Sequence, residues 1–233
     1  MAGAKVPASR SDLGVRTVSA IVMLAIAGSA LWLGELWWTL FVVLLALAVF
    51  VEWMRLVRRI GYGALGWIFW VTFALAYIGL ACLALISLRN ASALIVLGMV
   101  GVVIATDIGA YFAGRAIGGP KIAPRISPSK TWAGLGGGMV AAAAVGALVG
   151  YGFEPPVDGA QGLWPLGAGM GAALAVVAQA GDFFESWLKR RAGVKDSGTL
   201  IPGHGGLFDR VDGMLAVSMV GGIISLAIWF VLT

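Results

Sequence analysis

Apolar residues run along this chain in long blocks, with little of the strict alternation that marks a half-buried strand. A membrane-crossing helix needs roughly 17–25 such residues. Seven blocks qualify, at 17–34, 36–54, 64–87, 92–114, 131–153, 163–184 and 213–232. The block 64–87 also reads as a bent pair of short helices. The first block does not read as a cleaved leader, because no small-residue cleavage site follows it and a second block begins at once. The pattern predicts an all-α polytopic integral membrane protein of about seven transmembrane helices. It divides into 1–90, with three spans, and 91–233, with four spans and two polar loops, 115–130 and 185–212.

Charge tests that count. Fifteen of the 16 lysines and arginines fall in alternate connections. Lys5, Arg10 and Arg16 precede the first span, and Arg55, Arg58 and Arg59 follow the second. Arg115, Lys121, Arg125 and Lys130 follow the fourth, and Lys189, Arg190, Arg191, Lys195 and Arg210 follow the sixth. Only Arg89 stands on the other side, with Glu35, Glu154 and Asp158. Basic loops stay in the cytoplasm, so the N-terminus is expected inside and the C-terminus outside. An even number of spans would break the alternation.

Composition narrows the class. The chain is 60% apolar and 12% charged, with 35 glycines in 233 residues. That excludes an ordinary soluble globule and a disordered chain alike. The net charge of +5 belongs to one membrane face, where basic residues meet anionic headgroups, and does not indicate a nucleic-acid surface. The single cysteine, Cys82, lies in an apolar tract, which leaves no disulfide framework or cysteine metal site. Trp37, Trp38, Trp53, Trp132, Trp164 and Trp187 sit near span ends as interfacial anchors. Glycines crowd the fifth and sixth spans (Gly134, Gly136, Gly137 and Gly138; Gly167, Gly169 and Gly171), where small residues let helices approach closely.

Two polar segments carry candidate chemistry. In the first, Asp107 lies inside an apolar span, where a carboxylate is expensive unless paired, hydrated or metal-bound. Tyr111 and Arg115 follow on roughly the same helix face, so a purely structural Asp–Arg pair is the alternative. Ser127 and Lys130 lie in the loop beyond. In the second, Asp182, Glu185, Ser186 and Lys189 form a polar stripe at helical spacing, followed by Arg190. Lys195, Asp196 and Ser197 come next, then His204, Gly205 and Gly206, and finally Asp209, Arg210 and Asp212. Five of the 11 acidic residues fall within 182–213. Mixed carboxylates and cations beside a glycine-rich turn suit a phosphate substrate with a hard metal such as Mg²⁺. Glycines leave backbone N–H groups open to phosphate oxygens. His204 is the only histidine, which rules out a multi-histidine zinc site.

At these residues the sequence resembles the phosphatidate cytidylyltransferase family, also called CDP-diacylglycerol synthases. The resemblance rests on Ser186-Trp187-Leu188-Lys189-Arg190, Lys195-Asp196-Ser197-Gly198, Pro202-Gly203-His204-Gly205-Gly206 and Asp209-Arg210-Val211-Asp212. It extends to an upstream segment from Asp107 through Tyr111, Arg115, Ser127, Lys130 and Thr131, and so covers roughly 100–213. Two residues after the Lys-Thr pair, where the family usually carries glutamate, this chain has Ala133. The resemblance implies that CTP and phosphatidate give CDP-diacylglycerol and pyrophosphate in phospholipid biosynthesis. It implies Mg²⁺ held by Asp182 and Asp209, with K⁺ as a candidate second cation. Lys189 and Asp212 join those two as expected catalytic residues. Asp107, Tyr111, Arg115, Ser127, Lys130, Ser186, Arg190, Lys195, Asp196, Ser197, His204, Gly205, Gly206 and Arg210 are expected to bind substrate. A bacterial-type inner membrane location with the site facing the cytoplasm follows, and a homodimer is compatible.

Two other readings stay open on sequence alone. A CTP-dependent lipid kinase of the dolichol or phytol type would join the same nucleotide to a membrane alcohol. A transporter would use Asp107 and Asp182 as intramembrane ion ligands.

Overall fold

The computed structural model describes residues 10–153 and 162–232; Lys5, Glu154 and Asp158, used in the charge argument, lie outside the described residues. Seven helices are long and apolar enough to cross a membrane. They are α1 (Arg10–Leu33), α2 (Glu35–Ile60), α3 (Ala64–Ala91), α4 (Ala93–Ala116), α5 (Trp132–Tyr151), α6 (Trp164–Arg191) and α7 (Phe208–Leu232). The block 64–87 is therefore one continuous helix, not a bent pair. Local chemistry sets several ends. Gly61 closes α2 in the left-handed conformation, which glycine adopts without steric cost. Ser92 and Thr131 cap α4 and α5, accepting from the amides of Leu94 and Gly134.

Two expected boundaries move. Helix α6 runs past the apolar block to Arg191, and α7 starts at Phe208, so the loop expected at 185–212 contracts to 192–207. The polar stripe Asp182–Lys189 is helical, as its spacing requires, and hydropathy alone ends too early. The loop 115–130 also carries structure: an antiparallel hairpin of β1 (Lys121–Ala123) and β2 (Ser127–Thr131). It is the one named sheet among the described residues.

Helix α5 lies between α4 and α6 and touches both backbone to backbone. A Cβ on Gly137 would strike Ala113 and crowd the Gly109 carbonyl on α4, and one on Gly146 would strike the Gly167 carbonyl on α6. The glycine-rich spans are thus packing surfaces. Helix α3 packs on α7 and α2, while α1 packs on α2. One apolar cluster includes Trp38, Leu88, Met99 and Ala142; a second gathers Trp53, Trp70, Leu188 and Phe208 at the end that bears the 192–207 loop. That second cluster is the floor of the candidate site.

Candidate active site

Helices α4, α6 and α7, the hairpin and the loop 192–207 bring their polar residues to one end of the bundle. The centre lies on α6. Asp182 forms an ion pair with Lys130 from β2, and its Oδ1 accepts from Ser186 Oγ at 3.3 Å. Lys130 also lies 4.7 Å from the Phe183 ring centroid, so an apolar face limits its access to water. One turn on, Glu185 is 1% exposed, and Lys189 bonds its Oε2 at 2.6 Å.

Asp212 of α7 completes the group. Ligand oxygens of Asp182, Glu185 and Asp212 lie within 4.8 Å of one another. Glu185 Oε1 is buried with no hydrogen-bond partner, and Asp212 Oδ1 accepts only a short contact from the Gly213 amide, at 2.7 Å. Three close carboxylates repel one another unless a cation stands among them. An all-oxygen donor set with an orphaned buried oxygen fits a hard divalent ion such as Mg²⁺.

Asp209 stands beside this group, not within it. Its Oδ1 accepts from Lys189 Nζ at 2.7 Å. Its Oδ2 accepts from the amides of Ser197 at 2.9 Å and Gly206 at 2.8 Å. Lys189 therefore ties Glu185 to Asp209, and Asp209 ties the 192–207 loop to α7 at Ser197 and Gly206. Gly205 adopts φ +82°, and a Cβ there would lie 2.9 Å from Asp209 Oδ2. A Cβ on Gly206 would strike Ser197 Oγ. Both glycines are thus needed for the loop to close on the carboxylate.

Such a cluster of acids and lysines suits handling of polyanions. The Cytidylyltransferase family matches residues 63–227. This chain belongs to the cytidylyltransferase family. A Brucella suis protein named phosphatidate cytidylyltransferase is 36% identical to it over a 252-residue alignment, covering 89% of this chain and 91% of the other. A protein of the same name from Pseudomonas aeruginosa is 37% identical over 195 residues, covering 82% of this chain and 66% of its own. In Helicobacter pylori a third is 36% identical over 143 residues, covering 60% and 51%.

Within this cytidylyltransferase the remaining expected residues divide. Asp107, on α4, lies where the charges of Asp182 and Lys130 act on it. Arg115 bonds the Tyr111 hydroxyl at 3.0 Å on an exposed face, so the alternative Asp107–Arg115 pair is not formed. Arg190 reaches the Ile126 carbonyl at 3.4 Å and fastens α6 to the hairpin, next to Ser127. Lys195 and Asp196 are exposed. His204 turns toward α1, with Nδ1 2.7 Å from Ser19 Oγ, and Arg210 braces the same turn through the His204 carbonyl at 2.7 Å.

Two cytidylyltransferase residues escaped the sequence reading of the site. Glu185 was visible as part of the polar stripe but received no role. Glu52, on α2, carried the same signal as Asp107: an acid within an apolar run.

Proposed function

We propose that this chain transfers the cytidylyl group of CTP to phosphatidate, releasing pyrophosphate and forming CDP-diacylglycerol. The observation that carries this reading is the meeting of Asp182, Glu185 and Asp212 with Lys130 and Lys189 at one end of a membrane bundle. A phosphatidate phosphate oxygen attacks the α-phosphorus of CTP. The bond from that phosphorus to the oxygen bridging to the β-phosphorus breaks, and the electron pair leaves with pyrophosphate. The nucleophile is already an anion, so no general base is required. Relief of repulsion and in-line alignment remain to be supplied.

Lys130 and Lys189 offset phosphate charge. Asp182 and Asp209, with Glu185 and Asp212 added on geometric grounds, would hold a divalent cation, which when bound supplies further charge neutralisation. Lys189 already bridges Glu185 and Asp209; its movement toward a phosphate frees an oxygen on each. Side chains of the 192–207 loop, with Asp107, Tyr111, Arg115 and Ser127, would line the approach for nucleotide and headgroup.

The membrane setting fits the substrates. Exposing a lipid chain to water costs ~0.8 kcal/mol per CH₂, so phosphatidate must be met at the headgroup plane. The basic loops open at the end carrying this site, which supports a location on the cytoplasmic face of an inner membrane, where CTP is available. Detergent-purified protein supplied with CTP, phosphatidate and Mg²⁺ tests the reading. Label at the α-phosphorus should enter lipid with release of pyrophosphate. Transfer of the γ-label instead would identify a kinase and overturn it.

A further inference from the structure

Glu52 lies on α2, upstream of the residues that match the family, and is 2% exposed. A carboxylate so placed is costly unless its oxygens are satisfied. They are, and every hydrogen-bond partner belongs to the far end of the sequence. Oε1 accepts from the Leu207 amide at 3.0 Å. Oε2 accepts from the Phe208 amide at 2.9 Å and from Ser197 Oγ at 2.8 Å. No lysine or arginine pairs with it among the described residues.

These donors share one purpose. The amides of Leu207 and Phe208 open α7, and such amides lack partners within their own helix. Glu52 therefore caps α7 from another helix, where a negative charge also suits the helix dipole. Ser197 faces two ways: its hydroxyl donates to Glu52, while its amide donates to Asp209 at 2.9 Å. Both neighbouring glycines are shaped around the same carboxylate. A Cβ on Gly198 would lie 2.5 Å from Glu52 Oε1, and one on Gly206 would lie 2.5 Å from Oε2.

We infer that Glu52 is a positioning residue: it holds Ser197 and the start of α7 so that Asp209 and Lys189 face the acidic cluster in register. It touches none of the three clustered acids and acts through Ser197. Glutamine at this position keeps the shape but exchanges one accepting oxygen for an amide, and one donor then meets another donor. The catalytic consequence rests on the cytidylyl-transfer reading; the structural one does not.

Two measurements on the full chain in detergent test this. Hydrogen exchange in Glu52→Gln should quicken at least tenfold across 195–208 and stay unchanged in α4 and α5. Unaltered exchange across 195–208 would overturn the inference whatever the activity. In turnover, kcat should fall at least 30-fold while the KM for phosphatidate stays within threefold. A variant with kcat within twofold of the parent would overturn the positioning role. Ser197→Ala combined with Glu52→Gln should cost less than the product of the two separate losses; a full product would sever the route through Ser197. Should Glu52→Gln fail to fold, Gly198→Ala keeps the carboxylate but crowds it, and should show the same pattern more mildly. A parent chain that never consumes CTP would sink the cytidylyl-transfer reading alone, since exchange still decides whether Glu52 holds the loop.

Discussion

Asp209 receives an ammonium and two backbone amides, and Asp182 receives an ammonium and a hydroxyl. Removing one charge from either should damage chemistry more than folding. Asp209→Asn should lower turnover by at least 100-fold, about 2.7 kcal/mol, while leaving the melting temperature without added metal within a few degrees. Mg²⁺ at one hundred times its Kd should stabilise the folded parent chain by about 2.7 kcal/mol, read as a raised melting temperature. Asp182→Asn, Asp209→Asn and Asp212→Asn should each remove most of that gain. If Asp209→Asn keeps the whole gain yet is inactive, its carboxylate serves to hold Lys189 and the loop, and is not an ion ligand. Asp107 and the Asp182 stripe were legible because acids in apolar surroundings demand an explanation. Glu52 met the same test but stands one turn before Arg55 and close to Arg58 and Arg59, which makes it look like part of a solvated face. Only its amide partners, more than a hundred positions away, show otherwise.

Helices were legible as elements because hydropathy reports membrane-spanning length directly. Their ends were less so. Helix α6 continues into the polar zone because its charged stripe still obeys helical spacing, and the hydropathy pattern stops where the membrane does. The hairpin of β1 and β2 is too short and too polar to leave a period of two, and Pro128 breaks the usual strand signature. Glycine content announced close helix packing without naming partners. In α5, a Cβ on Gly146 meets the Gly167 backbone, whereas one on Gly136 meets nothing within 4 Å. Gly146→Ala should therefore destabilise the protein by about 1–3 kcal/mol through overpacking. Gly136→Ala should be neutral or slightly stabilising, because alanine is the better helix former. Thermal unfolding of the two variants in one detergent checks the contrast, and equal melting temperatures would show that α5 and α6 can part without penalty.

Taken whole, the molecule gathers Lys130, Asp182, Lys189, Asp209 and the 192–207 loop at one end, and the basic asymmetry of its connections supports the proposal that this end faces the cytoplasm. In a background where Cys82 is replaced, an impermeant thiol reagent applied to intact cells should label Ala91→Cys and miss Lys195→Cys; the reverse pattern would invert the topology. The two halves of the site are also assembled differently. The α4–α5–α6 side meets largely through glycine and alanine, which have no rotamers to lose, so its side-chain ordering entropy is small. On the other side, Trp53, Trp70, Phe208 and Glu52 must each be frozen in one orientation. An entropic cost grows in proportion to absolute temperature, so heating should release the α2–α7 side, and with it the grip on Asp209, while the glycine-packed trio is still closed.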